Sequence, residues 1–527
     1  MKSRYLLCAI LAASAFASAK AEEYEPSYQL IQAPGYYSED LAVATFNVLD
    51  YGVDNTGTTD CTAIVQKIID ACGGVYAGGH NRGDYRNPSG GTVYFPAGEY
   101  LFTGQLVIPR GVTIRGDWKS PGEGSKIEGT VFAVKPTRGK GVTAPSYAFI
   151  TMQPSTLVTN RAFWYPEQDA ASIKKYPATI LYGQNGYWGN DYCNVRHCTF
   201  VNSYIGIQFN PNNGGGCTNI NDIYGTPLYE GFEMDCIADV GRFDGIRFSP
   251  AYWEQSGLPG APAAGEIDGW LYDNATAVVM RRNDWSYTCN LSVRGYKVGF
   301  HAEESPVEGR PNGHNYGFDL RGCQTGILLS SASGSGIMFT DVATTGCDTG
   351  ISLLGGVEGP VQFYGCRIEG RSAAIAMDEN ASSALMFQDC DVTGPTYVNG
   401  GHFQAVHNSF ASDVAVDPKA RTLFADNSFS NGASLTDSSL FECVVANSTG
   451  YTYPTLPTFQ REWMEVRRTA PERAALYVVT DEEFGAKPYY DITLEPSTQA
   501  DCAPAIQSAL NKAGAEGGGI VYLPVGH

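Results

Sequence analysis

Histidine is scarce in this chain, and its distribution argues against the common kinds of metal site. Only seven histidines occur among 527 residues, and they are scattered along the sequence. Zinc sites built from histidine and cysteine need their ligands at short, regular spacings. The densest group, Cys193, His197 and Cys198, has no such spacing. We therefore expect neither a bound metal nor another cofactor.

The chain also lacks an apolar run of the ~20 residues that a membrane-spanning helix needs. Its one short run, residues 6–13, follows the positive residues Lys2 and Arg4 and precedes the small-residue sequence ASAKA at positions 17–21. This order is typical of a secretory signal peptide with its cleavage site. We expect residues 1–21 to be a signal peptide, the chain to have no membrane span, and the protein to be secreted or periplasmic.

Positively charged residues are also few in this chain. Lysine and arginine total 35 against 55 acidic residues, a net charge of -20. The expected signal peptide holds three positive and no negative residues, so its removal gives -20 - 3, about -23. Such a chain repels polyanions at long range. This excludes nucleic acid as an expected partner and disfavours polyuronates, unless a local basic groove or bridging calcium overrides the average.

Cysteine, by contrast, is frequent and periodic. Thirteen of the 14 cysteines follow the signal peptide, which in an exported protein suggests disulfides. However, Cys323 and Cys347 are 24 residues apart in the phrases GCQTGI and GCDTGI, and Cys366 and Cys390 are again 24 apart. Equal spacing indicates equivalent places in successive repeats. Stacked, reduced and buried thiols are therefore favoured over disulfides.

The same period of 24 recurs in the phenylalanines. Aligning the segments that begin at residues 337, 361, 385, 402 and 422 superposes Phe339, Phe363, Phe387, Phe403 and Phe424. Each unit is a short alternating strand, a turn and another strand, too small to bury its own apolar face, so it must stack on its neighbours. The leucine-rich repeat is the rival architecture, but its Leu-x-x-Leu-x-Leu signature is missing. The pattern predicts an all-β fold, a right-handed parallel β-helix with the phenylalanines and cysteines in its core.

An open first coil needs a cover, since exposed strand edges favour association. The segment DCTAIVQKIIDACGG, residues 60–74, predicts a short helix with Asp60 as its N-cap and its apolar residues on one side. The phrase GGTVYFPAGEY, residues 90–100, then predicts the first strand and its turn. We interpret the helix as the N-terminal cap of the β-helix.

These two phrases carry a family resemblance. FNVLDYGVDNTGTTDCTAIVQKIIDAC, followed by GGTVYFPAGEYLFTGQLVIPRGVTIRGD, resembles the N-terminal signature of the pectate-lyase-superfamily β-helix proteins, which include glycoside hydrolase family 55 glucanases, several lyases and polygalacturonase relatives. The resemblance covers about 70 residues. It implies the fold and leaves the reaction open, because the matched positions are a cap helix and turns.

The same signature begins again at the end of the chain. Residues 484–527 repeat it, with GGIVYLPVGH matching GGTVYFPAGE. This predicts a signal peptide at 1–21, a β-helix domain at 22–443, a linker at 444–483 and the truncated start of a second β-helix at 484–527. Two tandem β-helices resemble glycoside hydrolase family 55. That resemblance implies an active site between them, with the general acid beyond His527. We accordingly expect this form to be an inactive fragment with a poorly ordered or aggregation-prone tail.

Motifs of two related chemistries are missing. The Asn-Thr-Asp, Asp-Asp, Gly-His-Gly and Arg-Ile-Lys clusters of polygalacturonase-type hydrolases do not occur, and residues 367–369 read Arg-Ile-Glu. This counts against pectin hydrolysis. A pectate lyase needs clustered acidic calcium ligands and a basic residue, and no such set stands out.

One stretch, residues 241–288, interrupts the repeat pattern. Long loops on a rigid solenoid are frequent sites of function. Its aromatic and charged residues suit sugar rings, sugar hydroxyls and acid-base work. The predicted substrate-binding residues are Tyr252, Trp253, Trp285, Arg281 and Arg282, with Trp270 and Tyr272 nearby, and the candidate catalytic carboxylates are Glu254 and Asp284. The alternative is a packed loop that shields the solenoid. Glu303 and Glu304 are weaker candidates in a predicted solvated turn.

Two classes of function therefore stay open, and no oligomeric state is predicted. The first is an exported glycoside hydrolase, similar to family 55, that acts on a polysaccharide or oligosaccharide, most simply a neutral β-1,3-glucan; a pectate-lyase-like lyase is its enzymatic alternative. The second is a non-catalytic glycan-binding or structural β-helix protein.

Overall fold

The computed structural model describes residues 24–33, 35–36, 42–73, 90–122, 125–136, 147–183, 191–210, 212, 214–439, 444–445, 475–487 and 500–525. The expected signal peptide and most of the expected linker lie outside these residues. Among the described helices, none has the length and apolar character to cross a membrane.

The chain winds into coils that each contribute up to three parallel strands, and equivalent strands of successive coils pair into long sheets. The parallel β-helix predicted from the sequence is confirmed. The first sheet has 13 strands, which we call sheet I. They are Leu106–Ile108, Ile150–Met152, Ala178–Tyr182, Ile205–Phe209, Glu230–Met234, Thr276–Met280, Val298–Ala302, Thr325–Leu329, Thr349–Leu353, Ala373–Met377, Thr396–Val398, Val414–Val416 and Leu435–Asp437.

The other two faces, sheets II and III, follow sheet I in each coil. Sheet II contains Phe46–Asn47, Gly91–Phe95, Val112–Gly116, Tyr287–Cys289, Gly313–Tyr316, Ile337–Thr340, Val361–Tyr364, Ala384–Gln388, His402–Val406, Arg421–Ala425 and Val444–Val445. Sheet III contains Thr56–Asp60, Gly98–Phe102, Thr130–Val134, Ser292–Arg294, Asp319–Arg321, Ala343–Thr345, Arg367–Glu369, Asp391–Thr393, Ser409–Phe410 and Ser428–Phe429. Four bent strands cross from sheet II into sheet III: Leu157–Trp164, Asn194–Phe200, Asn219–Gly225 and Arg242–Phe248.

The corner between sheets II and III is a single residue with positive φ, which turns the chain sharply without breaking the pairing on either side. The ladder runs through Asn160, His197, Asp222, Gly245, Asn290, Gly317, Asp341, Gly365, Asp389, His407 and Asp426. Asparagine, aspartate, histidine and glycine are the residues that most readily tolerate this backbone region. The sequence therefore places suitable residues at each corner.

The predicted ladders fill the core. Phe339, Phe363 and Phe387 stack in register with ring centroids 4.7 and 4.9 Å apart. Phe403 pairs with Leu385 rather than with Phe387, two residues from the predicted alignment. The reason is that the coil shortens here, since residue 384 pairs with residue 402, only 18 positions later. The rings of Phe387 and Phe403 remain in contact at 5.6 Å.

The periodic cysteines Cys323, Cys347, Cys366 and Cys390 are buried and carry free thiols, as the repeat spacing predicts. Burial and the neighbouring thiol raise the pKa of Cys366. Neutral sulfhydryl groups pack here as small apolar groups.

The cap helix spans Thr62–Gly73 and buries Val65, Ile68 and Ile69 against the first coils. Asp60 has a role close to the one predicted. Its carboxylate accepts from the backbone N–H of Thr62 at 3.1 Å and from that of Thr103 at 3.0 Å. It therefore ties the start of the helix to the next coil.

The remaining elements are short. A one-turn 3-10 helix spans Val48–Tyr51, and the strands Gln29–Leu30 and Val43–Ala44 pair antiparallel. Helices Ala251–Glu254 and Asp268–Asn274 precede the strand Thr276–Met280 of sheet I. Near the C-terminal end, helix Ala503–Ala515 accompanies a parallel pair of strands, Leu476–Val478 and Ile520–Tyr522.

This C-terminal group repeats the order of the N-terminal cap, a helix followed by a strand. The ring of Tyr522 lies 5.3 Å from that of Tyr28, so the group contacts the N-terminal part of the chain. The division into two β-helix domains, and a poorly ordered tail, stay predictions.

Candidate functional site

Residues 249–275 of the irregular stretch form the corner between sheet III and sheet I, and the first part of this corner is packed. Trp253 is fully buried, and its backbone N–H donates to the hydroxyl of Thr226 at 2.9 Å. Tyr252 is also buried and packs with Tyr224 and Trp118. Trp253 therefore does not form the sugar-contacting wall that the sequence suggests, because neighbouring coils cover its ring. This half of the stretch matches the packed-loop alternative.

The same stretch supports a neighbouring corner. The indole N–H of Trp270 donates to the backbone carbonyl of Leu228 at 2.8 Å, and the N–H of Thr276 donates to the carbonyl of Tyr229. The corner held in this way leads directly into the strand Glu230–Met234 of sheet I. The loop thus positions that strand from outside the coil.

The candidate carboxylates Glu254 and Asp284 are not brought together. Glu254 lies on the corner that precedes the strand Thr276–Met280, and it accepts from the N–H of Gly265 at 2.7 Å. Partial burial raises the pKa of Glu254. Asp284 lies on the corner that follows the strand, beside exposed Arg282 and Trp285. They therefore lie at opposite ends of one strand.

A different set of charged groups meets on the outer face of sheet I. Glu233 pairs in register with Val279, and Val279 pairs with His301 on the next coil. Glu233 and His301 thus point outward from strands whose other residues are mostly apolar. Arg281 and Glu303 follow directly after two of these strands, and Glu230 begins the first. We call Glu230, Glu233, Arg281, His301 and Glu303 the charged cluster.

Arg281 joins the cluster by bridging two carboxylates. Its guanidinium lies 2.9 Å from an Oε1 of Glu233, and its Nη2 and Nε lie 2.6 and 2.7 Å from Oε1 of Glu303. Glu233 also accepts from the side-chain amide of Gln208 at 3.0 Å. The hydrogen bond from Arg281 orients Glu303, because a planar guanidinium binds a carboxylate in defined directions. Glu233 is oriented by Gln208, since its contact with Arg281 is an ion pair without hydrogen-bond geometry.

His301 lies on the other side of Glu303. Its Nδ1 is 3.5 Å from Oε2 of that carboxylate, and its Nε2 hydrogen bonds with the hydroxyl of Ser330 on the following coil. Burial lowers the pKa of His301 despite the nearby carboxylate. The imidazole is thus biased toward its neutral form.

The acids of the cluster differ in their access to solvent and in their protonation. Glu233 is 1% exposed, and burial raises its pKa to about 8 against the opposing effect of Arg281. Burial also raises the pKa of Glu230, whose side chain hydrogen bonds with that of Glu233. The side chain of Glu303 is 28% exposed. The cluster therefore combines buried carboxyl groups of raised pKa with a solvent-accessible carboxyl group next to arginine.

An aromatic ring borders the acids. Tyr229 is partly exposed and stacks on buried Tyr204 with ring centroids 5.0 Å apart and planes within 2°. Burial raises the pKa of Tyr229, and the charges of Glu230 and Glu303 add to that effect. The ring is therefore held rigidly beside the carboxyl groups, with its polar edge neutral.

Sequence reasoning named Arg281 and Glu303 but missed Glu230, Glu233 and His301. The sequence does contain a signal for two of them. Glu233 lies between the apolar residues Phe232 and Met234, and His301 lies between Phe300 and Ala302. A charged residue at an outward strand position flanked by core residues is expensive to bury unless it is paired. Among the described residues, no three or more histidine, cysteine, aspartate or glutamate side chains are arranged to hold a metal ion.

Comparison with known families gives a match to the N-terminal part of the chain. Residues 45–147 match the model of the rhamnogalacturonase A/epimerase, pectate lyase-like family. This segment holds the cap helix and the first coils, about a fifth of the chain. The match agrees with the resemblance of the N-terminal signature to pectate-lyase-like proteins and does not single out glycoside hydrolase family 55. No curated protein matches the chain in sequence.

Solved structures of similar shape are distant in sequence. The A-module of mannuronan C-5 epimerase AlgE4 from Azotobacter vinelandii aligns with 16% identity and a TM-score of 0.45, covering 76% of this chain and all (100%) of that one. The surface adhesin PfbA of Streptococcus pneumoniae aligns with 12% identity and a TM-score of 0.31, covering 76% and 91%. DFA-IIIase from Arthrobacter chlorophenolicus A6 aligns with 11% identity and a TM-score of 0.32, covering 77% and 86%. Likeness at this level assigns no reaction.

Proposed function

We propose that this protein is an exported glycan-degrading enzyme, a glycoside hydrolase acting on a neutral β-glucan. The observation that carries the proposal is the charged cluster, in which Arg281 orients an accessible carboxylate beside carboxyl groups with raised pKa. Hydrolysis of a glycosidic bond needs one carboxylic acid to protonate the leaving oxygen and one carboxylate to act as base or nucleophile. The cluster supplies both forms on one face.

The roles follow from access and charge. Glu303 is the base or nucleophile, because it is accessible to solvent and the guanidinium of Arg281 lies 2.6 Å from its Oε1 and orients it. Glu230 is the acid, because burial raises its pKa and it retains partial access to solvent. Glu233 is too deeply buried to reach a sugar, so it and Arg281 are positioning residues for the reacting pair.

Tyr229 is the proposed sugar platform. The faces of an aromatic ring complement the apolar faces of a pyranose, and a ring already stacked on Tyr204 loses little conformational freedom when a sugar binds. The insertion then contributes indirectly, since Trp270 and Thr276 hold the corner that carries Tyr229.

The charge of the cluster favours a neutral substrate. Arg281 is already paired with Glu233 and Glu303. The cluster therefore has no unpaired cation that could bind a uronate. Although burial opposes it, the proximity of Glu233 and Glu303 raises the pKa of Arg281, so Arg281 does not serve as the base that a lyase needs. The acidic net charge of the whole chain acts in the same direction.

The finer assignment, β-1,3-linkage and a family 55-like arrangement, rests on the repeated signature at 484–527. We propose that this segment is the start of a second β-helix. The charged cluster predicts activity from the residues described above, and the expectation of an inactive protein is its alternative. One assay decides between them.

That assay measures the release of reducing ends from β-1,3-, β-1,4- and α-glucans and from a polyuronate. We expect release from a neutral β-glucan, loss of it in Glu230→Gln and Glu303→Gln, and no release from the polyuronate. Release from the polyuronate alone, or equal rates in the wild type and both variants, would contradict the proposal.

A further inference from the structure

The corner between sheet I and sheet II carries two large aromatic residues in a backbone conformation that does not suit them. Tyr192 has φ +61° and Trp285 has φ +59°. Positive φ is uncommon outside glycine, asparagine and aspartate and is a real outlier for a bulky side chain. Both side chains are nevertheless exposed, 57% for Tyr192 and 50% for Trp285. Folding therefore gains little from packing these rings and bears the strain of both backbones.

The two residues occupy the same position in different coils. Tyr192 lies two residues before Asn194 and Trp285 lies two residues before Tyr287, and the pairing of sheet II aligns residues 194, 219, 242 and 287 on four successive coils. Three coil spacings of about 4.8 Å put the two positions roughly 14 Å apart along the helix axis. The side chain of Tyr192 also hydrogen bonds with Cys217, the equivalent residue of the next coil in the direction of Trp285.

Further rings continue this surface onto sheet II. Tyr287 is 39% exposed, and its ring centroid lies 5.7 Å from that of His314, which in turn lies 6.0 Å from that of Trp285. The backbone N–H of Trp285 donates to the side chain of Asn312 at 2.6 Å, which fixes the strained turn. We call Tyr192, Trp285, Tyr287 and His314 the aromatic ridge.

The ridge adjoins the charged cluster along the chain. Arg281 is the first residue of the corner that contains Trp285, and exposed Arg282 and Asp284 lie between them. Exposed aromatic faces bordered by hydrogen-bonding side chains suit a ligand with apolar ring faces and hydroxyl edges. Residues with strained backbones occur frequently at binding sites.

We propose that the aromatic ridge is a second glycan-binding surface, which holds a neutral polysaccharide chain along the helix axis beside the charged cluster. The inference rests on the proposed function for its ligand class. It assigns binding, without catalysis, to Tyr192, Trp285, Tyr287 and His314. The sequence-based expectation that Trp285 binds substrate is part of it, and Trp253 is not.

The test is affinity electrophoresis of the full chain through gels containing soluble β-1,3-glucan, β-1,4-glucan or polyuronate. All variants carry Glu303→Gln, so that turnover does not change the gel. Trp285→Ala and Tyr192→Ala are each expected to weaken retardation by a neutral glucan roughly tenfold, as expected for loss of a stacking aromatic. Trp285→Asn, which suits the left-handed backbone, guards against misfolding.

The matched control is Tyr397→Ala, which removes a tyrosine 43% exposed on a distant coil of sheet I. It should bind like its parent. Wild-type mobility in both ridge variants, or no retardation of the parent by any glucan, would overturn the inference. A change in oligomeric mass in Trp285→Ala without a change in glucan affinity would also overturn it, because the ridge would then be an interface between copies. Ridge-dependent binding without any release of reducing ends would leave this inference standing and refute the proposed function alone.

Discussion

Replacing Glu233 by glutamine should remove most of a pH dependence that this side chain imposes on stability. The side chain of Glu233 is 1% exposed, and burial raises its pKa from 4.5 to about 8 on folding. The folded protein therefore holds a proton that the unfolded chain releases between these values. Stability contributed by the proton is full below pH 4.5 and is lost as the pH rises toward 8.

The magnitude follows from the shift. A difference of 3.5 pKa units at 1.36 kcal/mol each corresponds to about 5 kcal/mol of unfolding free energy between pH 4.5 and pH 8. Glutamine resembles the protonated acid in shape and does not titrate. We expect the variant and the wild type to have similar stability at pH 4.5 and the variant to be more stable at pH 8.

The assay is equilibrium urea unfolding followed by intrinsic fluorescence at pH 4.5, 6 and 8, with Glu304→Gln as the control. Glu304 is the exposed neighbour of Glu303, and its removal should leave the pH dependence unchanged. Other buried acids such as Asp117 and Asp235 also have raised pKa values, but they are common to all three proteins and cancel in the comparison. If the unfolding free energies of the wild type and Glu233→Gln changed with pH in the same way, the reasoning would be refuted.

Three further outcomes follow from burial. Arg281→Met should cost about 3 to 5 kcal/mol in urea unfolding, and less at pH 5 than at pH 8, because the ionised form of buried Glu233, which becomes populated toward pH 8, would lose its ion pair; an equal cost at both values would contradict the assigned charges. Phe363→Ala should cost about 3 to 5 kcal/mol by the same measurement, since its ring stacks on both sides, whereas Tyr397→Ala should stay within about 0.5 kcal/mol; similar costs would argue against the core ladder. Trp253→Ala should lower stability by about 3 to 5 kcal/mol, whereas Trp285→Ala should have little effect on unfolding; the reverse order would contradict the burial of these two rings.

The repeat pattern made the fold predictable. In a solenoid, residues 24 apart become spatial neighbours, so the periodic phenylalanines and cysteines identify the core without knowledge of distant pairing. The misplacement of Phe403 arose where the coil shortens, because a change in coil length shifts the register by an amount that sequence similarity does not report.

The charged cluster was harder to predict because its members lie on coils of unequal length. Glu233 and Arg281 are neighbours only because the long insertion loops out between their strands. The insertion drew attention through its aromatic residues, but the structure buries Trp253 and uses Trp270 to hold the adjacent corner. Trp285, at the far end of the same stretch, is exposed because it lies on a corner and not in the loop.

The most direct test of the central claim, that the charged cluster hydrolyses glycosidic bonds, is the kcat/KM of Glu303→Gln beside that of Glu304→Gln on the neutral glucan that the wild type cleaves fastest. We expect a loss of at least a hundredfold for Glu303→Gln, the scale of one acid-base group in catalysis, and wild-type kcat/KM for Glu304→Gln. Equal kcat/KM in the two variants would contradict the claim.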